Sequence, residues 1–356
     1  MTDSQEIILT KTNRCGLITL NRPQALNSLT LNMIREAERH TLEWAKDPDI
    51  YGVVIEAVPG RAFSAGGDIR TLYNWMKDSP ENAVQYYREE YQHNWTLERF
   101  MKPTASLING FVMGGGVGFC IYGTHRVAGE GLKFAMPETG IGFFPDIGGS
   151  YFLSRFPGHL GMYLGLTGLS VGPADAYHLG VATHVIGSEH FESIKQTMIE
   201  ADPIDPILER LHRDSDEGEV WMRRDMINEI FSAGSLEEIF EGLSRVSGPD
   251  EAWAGETLSE LHKKSPLSLA VTFKLIREAS AETTAYENLK AALEVEFRLG
   301  YRFLHDHDFA EGIRAAIIDK DNAPNWQYKD LASVPQERVD AYFENLGEEE
   351  LNLVDT

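Results

Sequence analysis

Two glycine-dense loops, Ala65-Gly66-Gly67-Asp68 and Gly114-Gly115-Gly116-Val117-Gly118, each follow directly on a short β-type run, and this pairing constrains the chain more than any other feature. Glycine reaches backbone conformations closed to other residues and lets a ligand approach the main chain. A strand that ends in such a loop leaves N–H groups unpaired, and two of them converging on one oxygen form an oxyanion hole. Taken singly, each loop also reads as a tight turn or as close helix packing.

The runs around the loops set an order. Ile7 to Thr10 and Gly16 to Leu20 read as a hairpin leading into the loop at 21–29. From Thr30, the residues Met33, Ile34, Ala37, Thr41 and Trp44 recur at helical spacing, and Asp47-Pro48 marks the stop. Buried-strand runs follow at 52–58 and 104–110, the second glycine loop begins a helix over 114–123, two short strands flank a glycine turn at 125–136, and 181–187 is the last strand. Beyond about Asp202 the chain turns to charged helix formers. The expectation is an α/β core over 1–200 built from strand-strand-helix units, then a mostly helical region over 201–356 ending in a solvated acidic tail. One strand does not alternate with one helix, which argues against a simple Rossmann sheet.

Charge and cysteine usage narrow the function. The net charge of −23, from 32 basic and 55 acidic residues, repels a phosphate backbone, so no nucleic-acid partner is expected. Cys15 and Cys120 show neither disulfide nor metal spacing, and Cys120 reads as core. No secretory signal is visible at the start and no segment approaches the ~18 apolar residues that span a bilayer, so the expectation is a cytoplasmic chain with no membrane partner. His305 and His307, beside Asp306 and Asp308, lack a further ligand and read as solvated, and His93 reads as packing.

Chemistry concentrates at Glu138 and Asp146, two carboxylates in a loop-rich stretch that also holds Met136, Ile141, Phe143 and Phe144. Desolvation and mutual repulsion raise at least one pKa in such a pair and couple the two titrations, which suits acid-base work near neutral pH. The alternative is that either residue caps a helix. Arg22, Gln24, Ala25 and Leu26, with Arg61 and Arg70, offer positive charge for an anionic ligand if they cluster.

In this order, NRPQALNSL, RAFSAGGDIR, NGFVMGGGVGF and FAMPETGIGFFPDIGG resemble the crotonase, or enoyl-CoA hydratase/isomerase, superfamily over roughly residues 6–187. The resemblance implies a spiral of repeated strand-strand-helix units, with Gly67 and Gly115 binding a thioester oxygen. It also implies that Ala25 and Leu26 lie along coenzyme A, and that Ala65, Asp68, Ile69 and Gly114 contact coenzyme A or substrate. Hydratases of the superfamily carry a glutamate where this chain has Gly118, so the chain departs from the hydratase pattern. SPLSLAVTFKLIREA at 265–279 and HDFAEGIRAAIIDKDNAPNW at 307–326, together with the PET and FPD spacing, resemble the 3-hydroxyisobutyryl-CoA hydrolases.

That closer resemblance implies hydrolysis of a short-chain 3-hydroxyacyl-CoA, most simply 3-hydroxyisobutyryl-CoA in valine breakdown. Glu138 would attack the carbonyl or activate water, and Asp146 would position the substrate hydroxyl or assist proton transfer. No metal is implied, and no cofactor beyond the coenzyme A of the substrate. The helical region would complete the active site, and a homo-oligomer is compatible. Two rival expectations are an isomerase or hydratase acting on fatty acyl-CoA, told apart by the absence of free thiol, and a non-catalytic acyl-CoA-binding protein.

Overall fold

In the computed structural model of the chain, residues 5–214, 218–281 and 286–355 are described; residues 1–4, 215–217, 282–285 and 356, including the first residues of the opening segment and the last of the acidic tail, lie outside the described residues. The opening hairpin is present, with β1 (Ile7–Thr12) antiparallel to β2 (Cys15–Leu20) and Thr12 opposite Cys15. Thr30 caps α1 (Leu31–Lys46) by accepting from the Met33 N–H at 3.2 Å, and the helix buries Met33, Ile34, Ala37, Thr41 and Trp44, the residues its periodicity picks out. Trp44 packs flat on the hairpin at Gly16, where a Cβ would lie 2.4 Å from the indole ring.

The repeating units then deal their strands alternately into two sheets. β3 (Gly52–Ala57), β5 (Thr104–Ile108), β7 (His125–Ala128) and β9 (His184–Val185) extend the hairpin into a six-stranded sheet of order β1-β2-β3-β5-β7-β9, while β4 (Ala62–Ser64), β6 (Phe111–Met113) and β8 (Lys133–Ala135) form a smaller three-stranded sheet. Among the described residues every pairing between two of these strands after the hairpin is parallel, so each return needs a crossover, and the crossovers carry the helices. α2 (Ile69–Asp78) and α3 (Pro80–Glu98) follow β4, and α4 (Gly115–Gly118) follows β6.

The helix expected over 114–123 is corrected to the single turn of α4. A Cβ at Gly116 would lie 2.6 Å from Ser64, and one at Gly118 would lie 2.5 Å from Asn94, so the glycines serve close packing. Glycine also disfavours helix propagation by about 1 kcal/mol per residue, and the turn is nearly all glycine.

From Asp202 onward the described residues contain no strand, as expected. After α5 (Gly149–Leu153), α6 (Leu160–Thr167), α7 (Pro173–His178) and α8 (Phe191–Ile199) come α9 (Asp205–Leu211), α10 (Glu219–Met222), α11 (Arg224–Phe231), α12 (Leu236–Arg245), α13 (Glu251–Leu261), α14 (Pro266–Ser280), α15 (Leu289–Leu304), α16 (His307–Ile313) and α17 (Gln336–Ala341). The composition change near 200 is not a break in packing. Ile194 and Met198 of α8 join Ile204 and Leu208 in covering Cys15, Val54, Ala105 and Val127 of the large sheet.

The acidic tail corrects the expectation of a solvated segment. Leu351 and Leu353 are buried, Glu350 pairs with Arg298 at 2.9 Å, and Asp355 accepts from the Trp95 indole at 3.0 Å. The acidic run has basic and aromatic partners on α3 and α15, and each buried leucine contributes ~1.5–3 kcal/mol. His305 and His307 are exposed, as expected, but Asp308 beside them is fully buried, accepting from Ser265 Oγ at 2.6 Å and the Gln327 N–H at 2.7 Å. Among the described residues no helix is long and apolar enough to cross a membrane.

Candidate active site

The two glycine loops meet. A Cβ at Gly66 would lie 3.4 Å from the Gly115 nitrogen, and one at Gly115 would lie 3.4 Å from the Gly67 nitrogen, so the two backbones pass in direct contact. Gly66 has φ 93 and Gly114 φ 47, values that L side chains rarely adopt, which is why the chain uses glycine at both turns. The bridge from Leu29 to the first loop runs through Gly66 O and the Asp68 N–H, leaving the Gly67 N–H outside it. Gly115 opens α4, so its N–H has no partner within that helix.

These loops line a cavity of about 220 Å³ together with Glu138, Asp146, Glu90, Tyr86, Tyr87 and the apolar residues Leu72, Phe143, Phe309 and Ile317. Of the residues expected at the site, Ala65, Gly67, Ile69, Gly114, Gly115, Glu138 and Asp146 all reach this wall. Ala25 and Leu26 do not; they form the adjoining turn, where Leu26 accepts from the Ala65 N–H at 2.9 Å and so supports the first loop. Asp68 caps α2 and pairs with Arg22 at 3.1 Å. That pair, with Glu6 at 3.1 Å, corrects the expectation that Arg22 is available to an anionic ligand. Arg70 donates to the Ile317 carbonyl at 3.0 Å, and neither it nor the exposed Arg61 lines the cavity.

Glu138 begins a short 3-10 turn (Glu138–Ile141) directly after β8, and neither it nor Asp146 serves as a helix N-cap. A Cβ at Gly114 would lie 2.9 Å from Glu138 Oε1, which places the carboxyl against the second glycine loop. The C-terminal region clamps this turn. The Asp308 carbonyl lies against Gly142, where a Cβ would come within 2.1 Å of it, and the Ile141 carbonyl lies against Gly312, where a Cβ would come within 2.2 Å. Phe309 and Ile317 from that region then close the cavity.

The electrostatics are those of crowded, desolvated acids. Glu138 and Asp146 are 6% and 4% exposed. Burial first, and the Asp146 charge second, push the Glu138 pKa well above the usual carboxylate range. Burial raises Asp146 to about 7 against the pull of a hydrogen bond from Tyr91. Glu138 Oε2 has no hydrogen-bond partner among the described residues, so one of its oxygens is uncommitted. The arrangement can hold one proton between two acids beside paired N–H donors, which suits attack on a carbonyl with proton delivery to a leaving group.

Sequence reasoning missed Glu90. This buried acid on α3 points Oε1 at Gly115, where a Cβ would lie 2.3 Å away, and both burial and Asp146 raise its pKa. The signal was present: Ala83, Tyr86, Tyr87, Glu90, Tyr91 and Asn94 fall at helical spacing on the buried face, and a glutamate in that stripe is out of place unless it has a task. Phe309 and Ile317 were missed as wall residues because nothing local ties residues 309–317 to a loop near residue 66.

Comparison with known proteins agrees with this geometry. The family model for enoyl-CoA hydratase/isomerase matches residues 15–343. The chain is 41% identical to the mitochondrial 3-hydroxyisobutyryl-CoA hydrolase of Danio rerio over 98% of its own length and 92% of that protein. It is 40% identical to that of Homo sapiens over 98% and 91%. Among solved structures, an enoyl-CoA hydratase from Rhodobacter sphaeroides superposes with a TM-score of 0.91 at 37% identity, covering 98% of this chain and 100% of that one. A carnitinyl-CoA dehydratase from Mycobacterium thermoresistibile gives 0.92 at 34% identity, covering 98% and 99%. With the family match spanning nearly the whole chain and a crotonase-type arrangement of paired glycine loops, the chain belongs to the enoyl-CoA hydratase/isomerase family.

Proposed function

We propose that the chain hydrolyses 3-hydroxyisobutyryl-CoA, or a closely similar short 3-hydroxyacyl-CoA, to free coenzyme A and the hydroxy acid. The observation that carries the reading is the meeting of Glu138 and Asp146 with the Gly67 and Gly115 backbone in one small cavity, in a chain about 40% identical over nearly its full length to hydrolases of that name. A cavity of about 220 Å³ with an apolar lid suits a short acyl group.

In this reading the thioester oxygen accepts from the N–H groups of Gly67 and Gly115, each worth roughly 3–4 kcal/mol as negative charge develops. In the form with the proton on Asp146, the Asp146 charge that raises Glu138 is gone; ionised Glu138 then adds to the carbonyl carbon, the C–S bond breaks, and Asp146 gives its proton to the departing thiolate. Water then adds to the resulting anhydride while Asp146 takes a proton back, releasing the acid and restoring Glu138. The second route has Glu138 take the proton from water as its oxygen adds directly. In single turnover in heavy-oxygen water, label entering Glu138 supports the anhydride, whereas label confined to product fits the direct route or water adding at the acyl carbon of the anhydride, which trapping of a glutamyl anhydride by hydroxylamine separates.

A hydratase reading draws on the names of the two solved structures at 34% and 37% identity. Thiol release from 3-hydroxyisobutyryl-CoA, run beside crotonyl-CoA hydration, separates the two. Release that collapses in Glu138→Ala and Asp146→Ala supports the hydrolase; hydration without thiol sinks it. Under the hydrolase reading the reaction belongs to valine breakdown, and coenzyme A is substrate rather than resident cofactor. The relatives are described as mitochondrial, whereas the sequence suggested a cytoplasmic chain; fractionation of the source cells decides the compartment.

A further inference from the structure

Asp146 heads a stretch of backbone that does not hold its shape unaided. Ile147, a β-branched residue, has φ 54, and Gly148 follows with φ 83. A left-handed conformation is unfavourable for an L-residue, above all a β-branched one, and it persists only where the surroundings enforce it. Two side chains from distant parts of the chain do so here. The Tyr122 hydroxyl donates to the Ile147 carbonyl at 2.5 Å. The Glu296 carboxylate on α15 accepts from the Gly148 N–H at 2.6 Å through one oxygen, and from the Ser150 N–H at 2.8 Å and Ser150 Oγ at 2.5 Å through the other.

Glu296 is fully buried, and among the described residues no lysine or arginine pairs with it. All three partners are donors, so it is satisfied as an acceptor. A buried acid without a counter-ion is costly, and only the three donors it satisfies offset that cost. Its contacts point to what it does: they clamp the two left-handed residues that aim Asp146 into the cavity.

We propose that Glu296, with Tyr122 closing the same turn, is the positioning residue that sets Asp146 for its part in the reaction. This rests on the reading in which Asp146 reacts. The clamp also explains why residue 148 is glycine, since a Cβ there would lie 1.9 Å from the Tyr122 oxygen. Besides Glu296, the groups that act on Asp146 or are acted on by it are Tyr86, Tyr87, Glu90 and Tyr91 from α3, Tyr122 after α4, and Glu138 from the 3-10 turn. Burial raises the Glu296 pKa to about 8, opposed by its three hydrogen bonds, and the Asp146 charge adds to the rise.

The test measures thiol release from 3-hydroxyisobutyryl-CoA across pH, with thermal midpoints, for wild type, Glu296→Gln, Ser150→Ala, Tyr122→Phe and Asp146→Asn. Glutamine keeps the shape but loses an acceptor atom. We expect Glu296→Gln to lower kcat per folded molecule by about 10²-fold with KM changed by less than about threefold, and to displace the Asp146 limb of the profile as that carboxyl leaves its present surroundings. Ser150→Ala and Tyr122→Phe should each lower kcat by roughly tenfold, consistent with removing one well-placed hydrogen bond. A Glu296→Gln enzyme with wild-type kcat and pH profile, beside an inactive Asp146→Asn, overturns the inference and spares the hydrolase reading. Full thiol release by Asp146→Asn overturns the role of Asp146 itself. Should Glu296→Gln not fold, wild-type kcat and profiles in both Ser150→Ala and Tyr122→Phe overturn the inference.

Discussion

The Tyr91 hydroxyl donates to Asp146 Oδ2 at 3.0 Å, and among the described residues no other side chain donates to that carboxyl. The bond favours the charged form, opposing the burial that raises Asp146 to about 7. Tyr91→Phe should therefore raise the Asp146 pKa further and move its limb of the kcat/KM profile to higher pH. A lost hydrogen bond to a charged group costs ~1.5–3 kcal/mol, so thiol release should fall at least tenfold at pH 7. An unmoved profile would show that Tyr91 does not govern Asp146.

Stability should carry the opposite trend to ordinary acid denaturation in one window. Asp146 has a folded pKa of about 7 against an ordinary 3.8. Between those values the folded chain keeps a proton that the unfolded chain has released, so this group's contribution to stability falls as pH rises from about 4 to about 7 and then levels off. Asp146→Asn removes the titration and should stabilise the fold at pH 8 by ~1–3 kcal/mol more than at pH 4.5, while abolishing turnover. Urea melts at the two pH values measure the difference; equal effects at both would refute the assignment.

Glycine substitutions separate the site from the scaffold. Gly114→Ala forces a Cβ to 2.9 Å from Glu138 Oε1 at φ 47 and should reduce kcat by about 10²–10³-fold, comparable to the loss of an oxyanion donor. Gly255, exposed within α13, has open space where a Cβ would go. Gly255→Ala should leave kcat unchanged and raise stability by ~0.5–1 kcal/mol through helix propensity. Kinetics with a thermal melt on both variants suffice.

Ile317 belongs to a π-helical turn (Arg314–Ile318) at the cavity wall. Removing its side chain enlarges the space available to the acyl group, so Ile317→Ala should shift the kcat/KM ratio toward longer acyl-CoA substrates by ~10-fold or more per added methylene. A ratio unchanged across a chain-length series would place the acyl group elsewhere.

Local pattern is enough for much of this molecule. The hairpin, the buried face of α1, the strand-strand-helix order, the strandless C-terminal region and the two glycine loops all follow from side-chain periodicity and from the backbone freedom of glycine, which act over a few residues. Glu138 and Asp146 were visible too, as acids set in an apolar run. What residues 64–67 and 113–116 could not reveal is that they touch each other, or that Glu90 on α3 comes to lie against them while Glu296 on α15 holds the turn after Asp146. Those juxtapositions depend on parallel strand pairing and on a C-terminal region folding back over a 3-10 turn, and both join residues far apart in the chain. The same long-range packing binds the acidic tail, because its charges find Arg298 and Trp95 only once α3 and α15 are side by side. Side-chain chemistry along the chain limits which groups can react; long-range packing settles which of them are buried together, and burial is what raises their pKa values.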